Sequence, residues 1–156
     1  MRGRRQGVTL VEMLIVLALI GLMAGITFPS VSSGVDSLRL ASASRSLVTF
    51  FNGALNRAER REQAVEIIID PRQNLVLLDS TEPGFERRLE MPSGVRIVSV
   101  LPPLLVETGE PRRFVVYPGG TVPRLGVEIA SSRGVRQIVR IDPITGVPQV
   151  EKVAAQ

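Results

Sequence analysis

Two kinds of apolar pattern follow one another along the chain. From Met13 to Phe28 every position is apolar or glycine except Thr27, and Val8, Leu10 and Val11 extend the run backwards past Thr9 and Glu12. A helix that is apolar all round has no face for water. Helical residues from Val8 to Phe28 rise roughly 31 Å at about 1.5 Å each, the thickness of a hydrocarbon core of about 30 Å. The run predicts a transmembrane helix over residues 8–30.

Beyond Pro29 the period changes. Val31, Val35, Leu38, Ala41, Val48, Phe51, Leu55 and Ala58 recur at three-four spacing, while Ser44, Arg45, Asn52, Arg57, Glu59 and Arg60 fall mostly off that stripe. The helix is therefore expected to continue to about Gln63 as an amphipathic half with its stripe covered. Strand-like runs come next, at Val65–Asp70, Leu75–Asp79, Phe85–Met91, Val95–Val100, Arg113–Tyr117, Leu125–Ala130 and Val135–Ile141, punctuated by Pro and Gly. Leu101 to Arg112 reads as a loop. The fold class predicted is α+β: a long N-terminal helix packed under an antiparallel sheet, with residues 31–156 forming one head.

Charge sets the orientation. Of 19 basic residues against 15 acidic ones, Arg2, Arg4 and Arg5 stand before the apolar run, whereas Asp36 and Arg39 after it nearly cancel. The positive-inside rule places the N-terminus in the cytoplasm and the head outside. Without those three arginines the chain is close to neutral, so the high pI is weak support for nucleic-acid binding. A cleaved secretory signal fits less well, because its apolar region is shorter, about 7 to 15 residues, and Leu22-Met23-Ala24 is a poor small-x-small site.

Three features inside the run carry further information. A carboxylate such as Glu12 costs about 2.5 to 3.5 kcal/mol at the bilayer centre. It either snorkels to the interface or pairs with a cation, and a chain starting at Val8 would set a new α-amine one helical turn away. Gly21 and Gly25 form a small-xxx-small pair, which suits close approach of a second helix but is also common in membrane helices. Pro29 removes the N–H that would bond the Gly25 carbonyl, weakening the helix there.

Gly7-Val8-Thr9-Leu10-Val11-Glu12-Met13-Leu14, behind a short basic leader, resembles the prepilin peptidase motif of type IV pilins and type II secretion pseudopilins. The resemblance implies a leader of residues 1–7, cleavage between Gly7 and Val8, N-methylation of Val8, and a Glu12 that docks subunits into a filament. It also implies that the stretch from Gly25 to Pro29 can unwind during assembly. Val8 departs from the Phe usual at that position. Phe114 to Gly120, Gly126-Val127-Glu128-Ile129, Ile138 to Ile141 and Thr145-Gly146 together resemble the head shared by H-type minor pseudopilins and certain minor pilins. Both resemblances imply a pilin-like inner-membrane protein with a periplasmic head. Its implied partners are the prepilin peptidase, the major pseudopilin and other minor pseudopilins. The alternative is a minor pilin of a type IV pilus, with DNA as a ligand.

Catalytic chemistry finds little material. The chain has no His and no Cys, which removes the commonest general base, the usual zinc ligands and every thiol nucleophile. The lone lysine, Lys152, lies in no phosphate-binding loop, and no acidic run resembles a calcium loop. No enzyme activity, metal or cofactor is expected. Arg112, Arg113, Arg124, Arg133, Arg136 and Arg140 fall in a stretch whose one acid is Glu128, and alternation places Arg136 and Arg140 on one face. This reads either as a phosphate-binding or partner strip or as a solvated outer face, and with few aromatics nearby nucleic acid is not the expected partner.

Overall fold

The computed structural model describes residues 9–80, 84–104 and 109–153, apart from the side chains of residues 25–33. Gly7 and Val8 lie outside the described residues. One helix, α1 (Leu10–Arg61), precedes eight strands: β1 (Val65–Asp70), β2 (Leu75–Ser80), β3 (Glu86–Glu90), β4 (Val95–Leu101), β5 (Arg112–Val116), β6 (Gly126–Ser131), β7 (Arg136–Ile141) and β8 (Pro148–Lys152). The chain divides into two units, Met1–Val35 and Asp36–Gln156.

In the first unit, α1 begins at Thr9, whose hydroxyl accepts from the Glu12 backbone N–H at 3.3 Å while its carbonyl accepts from Met13 N–H at 3.2 Å. Thr9 is thus the N-cap, and Glu12 stands in the first turn, where the helix dipole favours an acid. Apolar side chains from Leu10 to Met23 are exposed, from 45% at Val16 to 81% at Leu10. Among the described residues no helix is long and apolar enough to cross a membrane. The described stretch from Leu10 to Ala24 rises roughly 22 Å at about 1.5 Å per residue, less than a hydrocarbon core. Residues 25–30, which complete the span read from the sequence, fall among those without described side chains. The helix is assigned through Gly25 and Pro29 without interruption, so the weak point expected there is not a break in secondary structure.

In the second unit the rest of α1 lies against two four-stranded antiparallel sheets, ordered β3-β2-β1-β5 and β4-β6-β7-β8. The single sheet expected from the strand runs is therefore two. The chain alternates between them, since β4 and β5 follow each other in sequence but pair elsewhere. Leu40, Ala43, Leu47, Phe51, Ala54 and Ala58 of α1 join Val65, Ile67 and Ile69 of β1 and Val127, Ile129, Val139 and Ile141 of the second sheet in one buried cluster.

The buried helical stripe differs from the expected one. Leu38 is 71% exposed and Val35 38%, whereas Leu40 is buried. Ser44, expected off the stripe, is buried and donates to the Leu40 carbonyl at 3.1 Å and to the Gln137 side-chain oxygen of β7. Helix α1 stops where Glu62 takes a left-handed φ of 51° and Gln63 N–H bonds back to the Ala58 carbonyl at 3.3 Å.

Candidate functional site

Each candidate residue of the sequence has a different standing in the structure. At the N-terminus, Thr9-Leu10-Val11-Glu12 is a Thr-x-x-Glu capping sequence, and its first half is formed: the N-cap hydroxyl holds the Glu12 backbone N–H. The signal was present in the sequence and marks Thr9 as the start of the helix. Residue Glu12 is solvent-exposed. Behind it lies apolar helical surface that no described residue of this chain covers, and a Cβ on Gly21 would meet nothing within 4 Å. Such a surface calls for lipid or for the apolar helices of other subunits.

These residues coincide with a known signal: residues 2–28 match the prokaryotic N-terminal methylation motif. The chain is pilin-like in its N-terminal signal. The methylation motif implies processing by prepilin peptidase, anchoring in a membrane and assembly with other pilin-like subunits. No curated protein and no solved structure matches the chain significantly.

The arginines of the second half are arranged by the sheets. Arg136 and Arg140 both face outward on β7, as alternation predicts, but each meets a carboxylate from a neighbouring strand. Arg136 lies 3.1 Å from Glu128 of β6, and Arg140 lies 2.5 Å from Glu151 of β8. The registers explain this, because Glu128 and Glu151 both oppose Ile138, so each is the diagonal neighbour of an arginine. Arg113 pairs with Glu66 at 2.8 Å and Arg133 with Asp36 at 3.4 Å, while Arg112 donates to the carbonyls of Val100 and Pro102. Reading the stretch as having one acid missed these partners, which come from α1, β1 and β8.

A different group of arginines was not singled out by sequence. Arg45, Arg60 and Arg61 of α1 and Arg87 of β3 line a groove of about 780 Å³ between the helix and the β3 edge. The apolar part of its wall is formed by Phe50, Leu78, Phe85 and Leu89. Arg57 lies over the Phe85 ring, 3.3 Å from its centroid. Spacing along the helix could have found Arg45 and Arg60, since residues 45, 49, 53, 56 and 60 recur on one face.

Proposed function

We propose that the protein is a minor pseudopilin of the H type, a structural subunit at the tip of the short filament of a bacterial type II secretion system rather than an enzyme. It is made as a precursor, cut between Gly7 and Val8 and methylated on Val8. It is held in the inner membrane by residues 8–30 with its head in the periplasm, an orientation supported by Arg2, Arg4 and Arg5 before the span. The observation that carries the reading is Glu12: a carboxylate five residues into the mature chain, on an exposed, otherwise apolar helix inside a methylation motif. In lipid, the α-amine of Val8 on the same or a neighbouring chain is the cation that would offset it. The likeness of the C-terminal third to H-type heads supports the finer assignment.

Intact mass of membrane-extracted protein tests processing, with a chain beginning at Val8 plus one methyl group expected. A mature form retaining Arg2 to Gly7, in cells with active prepilin peptidase, would sink the reading. Deletion of the gene should stop export of folded proteins to the medium and spare surface pili. Loss of pili or of DNA uptake with secretion intact would transfer the protein to a type IV pilus.

A further inference from the structure

The head treats its arginines in two ways. Some, on and beside the second sheet, meet carboxylates, as with Arg136 and Glu128 or Arg133 and Asp36. The side chains of Arg45, Arg60, Arg61 and Arg87 have no carboxylate within 4 Å among the described residues, and all four converge on one groove whose described lining holds no Asp or Glu. Four like charges brought together with no carboxylate among the described lining repel one another, and an anion placed among them relieves that repulsion.

The shape of the groove selects the kind of anion. One wall is α1, where Ser42, Ser46, Thr49, Gly53 and Asn56 are small or polar and leave the space open. The other is β3, the outermost strand of its sheet, so one side of its backbone has no ladder partner among the described residues. Phe85, Arg87 and Leu89 face the groove, while Arg88 and Glu90 pair with each other at 2.9 Å. A strand added beside β3 would lay alternate side chains over the groove, its backbone bonded to the edge. Single-stranded nucleic acid suits the site less well. Base stacking needs open aromatic faces, and of the two phenylalanines Phe85 is covered by Arg57 and Phe50 is half-buried.

We propose that this groove is a docking site for an acidic, extended segment of a partner protein, which adds to the edge of β3 and sets carboxylates against Arg45, Arg60, Arg61 and Arg87. The site lies wholly in the head and does not depend on which filament the protein joins.

The full chain in non-ionic detergent, titrated against a fluorescein-labelled peptide of alternating Glu and Val, tests this by fluorescence anisotropy. Binding is expected to be saturable. Arg45→Gln with Arg87→Gln should weaken it at least about tenfold, while Arg136→Gln with Arg140→Gln, which removes the same charge elsewhere, leaves it unchanged. Gly53→Leu is a steric test without charge. A Cβ there meets nothing within 4 Å and leucine favours helix over glycine, so the fold is kept while the groove is filled and binding is lost. Equal weakening by both arginine pairs, undiminished binding by Gly53→Leu, no binding at all, or tighter binding of oligothymidylate than of the peptide would each overturn the proposal.

Discussion

The side-chain amide of Asn74 pairs with Ile97 as a neighbouring strand would. Its oxygen accepts the Ile97 N–H at 2.8 Å, and its nitrogen donates to the Val95 carbonyl at 2.8 Å. Asn74 sits in the turn between β1 and β2 with a φ of 57°, a left-handed conformation that asparagine tolerates. One turn residue of the first sheet thereby occupies the start of β4 in the second. Asn74→Gly keeps the backbone conformation and removes both bonds, and it should lower head stability by about 1 to 3 kcal/mol in urea melts. An unchanged midpoint would mean that water replaces the amide fully.

The offset of the buried helical stripe gives a paired test. Leu40→Ala removes a fully packed side chain and should cost about 2 to 5 kcal/mol, whereas Leu38→Ala, at a position 71% exposed, should stay within about 0.5 kcal/mol. Denaturant melts of a fragment beginning at Asp36 measure both, since the cluster that covers the stripe lies within that unit. Reversed costs would restore the stripe through Leu38.

Why the stripe was misplaced before Val48 but right at Phe51 and Ala58, while seven of the strands stood out, is a matter of contrast. Between Leu38 and Leu47 the helix reads Leu-Arg-Leu-Ala-Ser-Ala-Ser-Arg-Ser-Leu, and alanine and serine differ too little in hydropathy to decide between faces. Leu38 and Leu40 are two residues apart, about 200° around the helix, so a start on the wrong leucine selects nearly the opposite face. Strand β8 escaped notice because Pro148-Gln149-Val150-Glu151-Lys152 has little alternation, and of its residues only Pro148 is buried. The division into two sheets was not legible either, because β1 pairs with β5 and β4 with β6 across intervening strands. By contrast, the methylation motif needs only local order, and its match over residues 2–28 includes the run from Gly7 to Leu14.

Asp142 gives the turn between β7 and β8 a pH dependence. Its carboxylate accepts from the backbone N–H groups of Ile144 at 2.8 Å and Thr145 at 3.1 Å. The bond from Thr145, then that from Ile144, holds its pKa below the usual 3.8, against a smaller opposing effect of burial and with a further lowering by Arg140. A pKa lowered on folding means stability that is complete above about 3.8 and is lost as pH falls through the folded value. Amide exchange of Ile144 and Thr145 should therefore accelerate, relative to intrinsic rates, only below about pH 4. Asp142→Ala should remove that dependence, and protection that is flat to pH 2 in the native chain would refute it.

Glu12 separates insertion from assembly. Glu12→Leu removes a charge from an apolar helix and should insert in membranes at least as well as the native chain, because the insertion penalty of about 2.5 to 3.5 kcal/mol disappears. Its crosslinking to neighbouring pilin-like subunits should fall sharply. The Thr9 hydroxyl still caps the Glu12 position through the backbone N–H, so helix initiation is preserved and loss of association reports the carboxylate alone. Unchanged crosslinking would reduce Glu12 to a residue that snorkels at the interface.

The outward face of β7 decides between a secretion subunit and a DNA-capturing pilin. Each phosphate neutralised on binding releases counterions, so two free arginines would add about two units to the slope of log K against log salt. Arg136 and Arg140 are not free, because Glu128 and Glu151 already oppose them at 3.1 and 2.5 Å. A phosphate would have to displace a carboxylate in each case and leave it beside the incoming negative charge. The β7 face is therefore expected to contribute little to oligonucleotide binding near 150 mM salt, and Arg136→Ala with Arg140→Ala should barely alter the slope. Glu128→Gln with Glu151→Gln frees both arginines and should raise affinity and steepen the slope by up to about two units. Submicromolar DNA binding by the native head at that salt, abolished in the double arginine variant, would overturn the secretion reading in favour of the pilin.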